Sequence, residues 1–235
     1  MNFSKSTDDG NGDGSQSIAE QFGLTRGNAL ATSAVVGAGA VGGIGTIAAD
    51  DHNDDDEASE LDDIGILNFA RTLEFLEARF YREGLDEIGE EDLRTSEPVE
   101  AVGGAVQDGV YDALRVIQEH EEIHIEVLGD TIEDLGGDPV EEPTFDFGIA
   151  TEDPTEFLAT AALLETTGVG AYAGAAPDIE NADLVPPALS IHSVEARHAS
   201  FLNVVNDEIG FPDAFDEALS VEEVLDRAGP FIVED

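Results

Sequence analysis

The chain has 235 residues, of which 54 are Asp or Glu and 9 are Lys or Arg, so its formal net charge at pH 7 is -45. A protein of this charge lacks the basic surface that phosphate backbones require, which excludes nucleic acid as a partner and disfavours anionic membrane surfaces. Apolar residues make up 41% of the sequence, enough for a buried core, and cysteine is absent, which excludes disulfides and thiolate metal sites.

The N-terminal part predicts a tail without a core. Residues 1–28 are polar and rich in Gly, Ser and Asp, which is typical of disorder. The apolar segment 28–49 follows the basic residue Arg26 and precedes the acidic stretch 50–57, a layout that resembles an export signal. If retained, about 21 apolar residues could also span a bilayer as an anchor. We predict export or anchoring at the cell surface, with a flexible linker in a cytoplasmic protein as the alternative.

Helical periodicity of the apolar residues begins at Ile64 and predicts a folded domain over 64–235, after a tail and acidic linker over 1–63. The predicted long helices span 61–88, 99–135, 154–176 and 184–208, and a shorter helix spans 215–228. The link between the second and third helices, 136–153, is long, whereas the other links between the long helices are short. We therefore predict an all-α fold: a four-helix bundle of two helical hairpins joined by a long crossover, with the short helix across one end.

Two Glu-x-x-His motifs lie on the second and fourth predicted helices. Glu121 precedes His124 by three residues, and Glu195 precedes His198 by the same spacing. Residues three apart share a helix face, so each pair could present a carboxylate and an imidazole to a metal ion. Glutamate is so frequent in this chain that the motif alone is weak evidence.

The other two long helices carry a second repeated spacing. Tyr81 follows Glu74 by seven residues, and Tyr172 follows Glu165 by seven. Seven residues are two helical turns, so each pair shares a face, and the side chain of the tyrosine leans back toward the level of the glutamate. Together with the Glu-x-x-His motifs, this gives a twofold internal repeat with one element per helix.

The order of these motifs, with the sequences of residues 67–78 and 157–165, resembles the ferritin-like superfamily, and within it the ferritin-like-domain group that includes desiccation-related proteins. The resemblance covers about residues 64–210 and implies a ferritin-like bundle that holds two metal ions, usually iron, between its helices. Carried over by position, it implies that Glu74 and His124 bind one ion, that Glu165 and His198 bind the other, and that Glu121 and Glu195 bridge both.

The chemistry of this residue set agrees with the resemblance. Four carboxylates would nearly neutralise two divalent ions, and oxygen donors with some nitrogen suit iron, or manganese, more than copper. Burying the carboxylates without metal would be costly. We expect Tyr81 and Tyr172 to orient carboxylates of neighbouring helices, although tyrosines that merely satisfy a hydroxyl in the core are the alternative.

Several nearby residues are not assigned as ligands. Glu77 lies one turn after the first glutamate but has no counterpart on the third helix. His120 and His192 do not occupy equivalent positions in the two halves, so we expect them at the surface or behind the ligands. Gly168 and Gly170 weaken the third helix and predict a local bulge.

The acidic composition predicts a salt-rich milieu, because like charges on a compact body repel one another unless salt screens them. The chain contains a single lysine, Lys5, whereas an ordinary acidic protein would keep more. In the context of the resemblance, this favours an acidic member of haloarchaeal type.

The predicted function is that of a di-metal protein that oxidises ferrous iron or removes peroxide in stress protection. The ligand set does not choose between these reactions and leaves catalytic activity open. One alternative is a structural protein that protects during drying and uses metal only as a staple. Another is a zinc peptidase through His120-Glu121-x-x-His124, which leaves the second Glu-x-x-His motif unexplained. The expected partners are metal ions and oxygen or peroxide, with a homodimer as a candidate assembly.

Overall fold

The computed structural model describes residues 61–233. The predictions for the tail, for the segment 28–49 and for the acidic stretch that follows it lie outside these residues. The predicted all-α fold is confirmed, since the described residues contain no strand and a single isolated bridge joins Phe145 to Ile232. No helix among them has the length and apolar character needed to cross a membrane. The helices are α1 (Asp63–Arg94), α2 (Glu97–Val102), α3 (Gly104–Asp134), α4 (Pro154–Ala175), α5 (Val185–Val205) and α6 (Val221–Ala228).

Glycines with positive φ kink α1 and divide the second predicted helix. α1 is kinked at Gly89, where φ is 77°, one residue after the predicted end of the first helix. The second predicted helix is wrong at its start, because it divides into α2 and α3 at Gly103 and Gly104, whose φ values are 62° and 59°. Glycine takes this conformation without steric cost, so the pair ends one helix and begins another. The third and fourth predicted helices correspond to α4 and α5.

The C-terminal helix is shorter than predicted. It begins at Val221 rather than Phe215, and the Ser220 side chain caps it in a capping box. The chain before it packs on α4, where the Leu219 amide donates a hydrogen bond of 3.0 Å to the Gly170 carbonyl. A Cβ at Gly170 would lie 2.5 Å from Leu219 Cγ, so this glycine permits the close approach. α4 is helical throughout, and the predicted bulge is therefore wrong.

The long crossover runs along α1 and sets the direction of the second hairpin. Near its start, the Val140 amide donates a 2.7 Å hydrogen bond to the Asn68 side chain. Near its end, the Phe147 ring meets the Phe80 ring edge-on at 5.2 Å. The chain has thus returned to the far end of α1 before α4 begins, and α4 runs antiparallel to α1, as the predicted crossover requires.

An apolar core fills the part of the bundle beside this end. Phe80 stacks on Phe157 at 4.8 Å, and both rings are fully buried. Gly84 makes the contact between α1 and α4 this close, because a Cβ there would lie 2.3 Å from the Phe157 ring. Toward the middle of the bundle, the buried positions change from aromatic and aliphatic residues to glutamate and histidine.

Candidate metal centre

Six ionisable side chains are buried together in the middle of the bundle, and they come from all four long helices. Each is at most 7% exposed. Helical spacing explains their common direction, because residues three apart on α3 and on α5 project from the same face. The structure thus brings together every residue of the predicted ligand set, whose role in binding metal remains a prediction. The six are Glu74 on α1, Glu121 and His124 on α3, Glu165 on α4, and Glu195 and His198 on α5.

The first half of the cluster surrounds His124. Its Nδ1 atom lies 3.1 Å from Glu74 Oε2, 3.0 Å from Glu121 Oε2 and 3.1 Å from Glu195 Oε1. One imidazole nitrogen offers a single hydrogen or a single lone pair, so it cannot satisfy three carboxylates at once. The convergence of one nitrogen and three oxygens is instead typical of donors around a shared cation.

The second half repeats this arrangement around His198. Its Nδ1 atom lies 3.0 Å from Glu121 Oε1, 3.1 Å from Glu165 Oε2 and 4.0 Å from Glu195 Oε2. In each half, one atom from each of four residues lies within 4.8 Å of the others. Both groups contain Glu121 and Glu195, so these two carboxylates lie between two potential cation positions.

The donor atoms fit a pair of metal ions. For a metal-to-donor distance of about 2.1 Å, neighbouring donors of an octahedral ion lie about 3.0 Å apart. All three separations around His124 and two of the three around His198 match this value. Glu121 Oε1 and both carboxylate oxygens of Glu195 are buried without a hydrogen-bond partner. Buried carboxylates in this state are costly unless a cation or a proton compensates them, so the cluster requires one or the other.

The pKa values show how the metal-free cluster would compensate. Burial and the neighbouring Glu195 carboxylate raise the pKa of Glu121 well above its usual range, and burial with Glu74 does the same for Glu195. Burial raises the pKa of Glu165 to about 7. Burial is the largest influence on Glu74 and opposes its ionisation, but the charge of His124 and the hydrogen bonds from His124 and Tyr172 together outweigh it and lower the pKa of Glu74. Some of these carboxyl groups therefore hold protons that metal ions would displace.

Two tyrosines hold the outer carboxylates from across the bundle. The Tyr81 hydroxyl on α1 donates a 2.5 Å hydrogen bond to Glu165 Oε1, and the Tyr172 hydroxyl on α4 donates a 2.6 Å hydrogen bond to Glu74 Oε1. Burial raises the pKa of both hydroxyl groups well above the usual value, so both remain donors. Each tyrosine contacts a carboxylate of a neighbouring helix, as the sequence predicts, and leaves the second oxygen of that carboxylate directed at an imidazole.

His120 supports the ring of His198. Its Nδ1 atom lies 2.9 Å from His198 Nε2, and the two rings stack at 5.2 Å. A histidine that binds metal through one nitrogen usually donates a hydrogen bond from the other, which fixes the tautomer. His120 therefore lies behind the cluster, one of the two positions expected for it. His192 is half-buried and belongs to neither group of donors among the described residues.

Glu77, which the sequence analysis does not assign as a ligand, is buried beside the cluster but belongs to neither group of donors among the described residues. Its side chain is 3% exposed, and burial, with the charges of Glu165 and Glu195, raises its pKa well above the usual range. The spacing of three residues from Glu74 places it on the same face of α1 and was the available signal. The twofold repeat does not predict a role for Glu77, because the third helix has no glutamate at the equivalent position.

A mostly apolar pocket lies beside Tyr172. Tyr172, whose hydroxyl is bound to Glu74, forms part of the wall of this pocket. By contrast, Tyr81 is 1% exposed and packs edge-on against the rings of Phe80 and Phe157. The surroundings of the two tyrosines therefore differ. The apolar wall of the pocket includes Leu73, Val127, Ala171, Leu184, Ala188 and Ile191.

Comparison with known proteins agrees with this geometry. The family model described as a ferritin-like domain matches residues 62–208, which is more than half of the chain and includes all six cluster residues. No curated protein matches the sequence.

Proposed function

The chain belongs to the ferritin-like domain family, and on that basis we propose that it is a di-metal carboxylate protein that oxidises ferrous iron or removes peroxide in stress protection. The ions we propose are two irons, with two manganese ions as the alternative. We also keep as proposals its place in the desiccation-related group, its salt-rich milieu, and its export or anchoring. The net charge of -45 supports the salt-rich milieu.

One observation carries the proposal: two groups of buried donors share two carboxylates. Glu74 and His124 would hold the first ion, and Glu165 and His198 the second. Glu121 and Glu195 would bridge them, which would satisfy the oxygens that are otherwise without partners. A pair of adjacent redox-active ions supplies the electrons that reduction of oxygen or peroxide requires.

The protein's own residues position the proposed ligands and exclude water from the cluster. The Tyr81 and Tyr172 hydroxyls hold one oxygen of Glu165 and one of Glu74, so the second oxygen of each carboxylate remains in the cluster. His120 fixes the orientation of the His198 ring. The buried aromatic residues beside the cluster exclude water and so strengthen electrostatic interactions within it.

The apolar pocket beside Tyr172 supports dioxygen as the oxidant. A small apolar molecule can enter a pocket lined by aliphatic side chains without losing hydrogen bonds, whereas peroxide would lose its hydrogen bonds to water. Tyr172 lines this pocket, and its hydroxyl donates a hydrogen bond to Glu74. We therefore propose that the oxidant approaches through the half of the site that contains Glu74 and His124.

The zinc-peptidase alternative lacks support in the structure. It requires His120 and His124 to bind the same ion, but His120 is hydrogen-bonded to His198. Neither group of donors found among residues 61–233 contains His120.

Metal analysis with redox spectroscopy on the protein purified from its native host in high salt tests the proposal. We expect two iron or manganese ions per chain and a signal of coupled ions that changes on addition of oxygen or peroxide. A metal staple predicts bound ions without this change. Zinc at one ion per chain, with proteolytic activity, would favour the peptidase.

A further inference from the structure

Glu77 and Glu195 both lie beside Gly168 on α4. Both carboxylates border the space above Gly168 on α4: a Cβ at Gly168 would lie 3.4 Å from Glu77 Oε1 and 3.4 Å from Glu195 Oε2. Glu195 is fully buried, and neither of its oxygens has a hydrogen-bond partner. Two buried carboxylates thus border one small space, and like charges in this position repel unless something positive lies near them.

The interactions of Glu77 distinguish it from the other glutamates of α1. The nearby Glu74 is hydrogen-bonded to Tyr172 and to His124. Glu77 is almost as deeply buried, and the charges of Glu165, Glu195 and Glu74 oppose its ionisation while the charge of His124 favours it. A buried carboxylate with this environment contributes nothing to the packing of an α-helical core, where an apolar residue would be less costly.

From this position we propose that Glu77 is a seventh metal ligand, which joins Glu195 in holding an ion of the pair on the Gly168 side of the cluster. The inference rests on the proposed di-metal function and adds one donor to it. The ligand it fits is a hard di- or trivalent cation, because its only donors are carboxylate oxygens.

The charges give this assignment a chemical consequence. Four carboxylates neutralise two divalent ions, whereas five carry one more negative charge than those ions supply. A fifth carboxylate therefore favours the trivalent ions over the divalent ions, and the pair becomes easier to oxidise. Because Glu77 belongs to neither group of converging donors, its carboxylate would have to move toward the ions to bind, and the open space at Gly168 gives it room to do so.

A single water is the competing occupant. Glu77, Thr167, Gly168 and Ala228 border a cavity of about 10 Å³, close to the smallest space that holds one water. In that case Glu77 would be a neutral carboxylic acid hydrogen-bonded to the water, and it would make no contribution to metal affinity. The two assignments differ in the effect of removing the carboxylate.

The test uses full-length Glu77→Gln protein in high salt, with Glu87→Gln as the matched control, because Glu87 is an exposed glutamate of the same helix. Calorimetric titration of the metal-free proteins with Mn²⁺ should show at least a tenfold weaker second binding step for Glu77→Gln and no change for the control. Wild-type affinity at both steps in Glu77→Gln would overturn the assignment and would leave the six-residue site intact. If the wild-type protein itself shows neither binding step, the proposed function is overturned instead.

A second variant protects the test against misfolding. Glu77→Leu replaces the carboxylate by an apolar side chain of similar size, so the metal-free protein should melt at a higher temperature than the wild type. Addition of metal should raise the melting temperature less than it does in the wild type. An equal metal-induced increase in Glu77→Leu and wild type would contradict the assignment independently of the titration.

Discussion

The hydroxyl of Tyr81 on α1 donates a hydrogen bond of 2.5 Å to Glu165 Oε1 on α4, and the bond is buried. A matching bond of 2.6 Å joins Tyr172 on α4 to Glu74 on α1. Each hairpin of the bundle thus positions a carboxylate of the other hairpin. The two bonds cross-link the halves of the cluster, which makes the geometry of the metal centre dependent on the packing of α1 against α4.

We expect Tyr81→Phe to lower the free energy of unfolding by about 1 to 3 kcal/mol, because it removes a buried hydrogen bond to a carboxyl group. It should also weaken metal binding, since Glu165 would lose its orientation. Denaturant unfolding and metal titration measure these effects. Tyr111→Phe is the control, because Tyr111 is the one remaining tyrosine of the chain and packs at the edge of the core. Equal losses in the two variants would contradict a specific role for Tyr81.

The metal-free protein should lose stability as pH rises through the range in which Glu165 ionises. Its pKa is raised to about 7 in the folded protein, above the usual value of 4.5, so folding is favoured while the group is protonated. The contribution is complete below about pH 4.5 and is lost as pH rises through about 7. Thermal melts of apo wild-type and apo Glu165→Gln protein should therefore differ in slope over this range. Parallel pH profiles would show that Glu165 does not titrate as expected.

Blocking the apolar pocket should slow oxidation without weakening metal binding. Ala188 borders the pocket on α5, so Ala188→Phe should fill it. Leu189→Phe is the control, because Leu189 is 56% exposed and does not line the pocket. We expect at least a tenfold slower reoxidation of the reduced protein by oxygen in Ala188→Phe, measured by stopped-flow absorbance. If the phenylalanine fills the pocket and the rate of reoxidation is unchanged, the oxidant does not enter through this pocket.

Removal of salt should destabilise the protein even when metal is bound. The net charge of -45 produces repulsion whose range grows from about 3 Å at 1 M salt to about 10 Å at 0.1 M. The melting temperature should therefore fall steadily as sodium chloride is reduced, as circular dichroism can follow. A melting temperature independent of salt would contradict the proposed salt-rich milieu.

The sequence predicts the site better than it predicts the ends of the helices. Repeated spacings place Glu121 with His124 and Tyr81 with Glu74 on single faces, and the structure brings those faces together. The break at Gly103 and Gly104 is not predicted, because apolar periodicity continues on both sides of it while the conformation of two glycines decides where the helix ends.

Contacts between helices are harder to predict. Glu77 and Glu195 both border Gly168, a residue on a third helix that is distant from both in the sequence. Likewise, Gly170 permits close packing of the chain at Leu219 rather than a bulge. In both cases the neighbours of the glycine are distant in the sequence, and helical periodicity carries no information about them.

The most direct test of the central claim is the metal stoichiometry of Glu195→Ala, measured beside wild type and the control Glu126→Ala, whose side chain is exposed on α3. If Glu195 bridges two ions, wild type and control should bind two ions per chain. Glu195→Ala should bind at most one and remain helical in high salt. Two ions bound with unchanged affinity in Glu195→Ala would contradict the claim that this buried cluster is a paired metal centre.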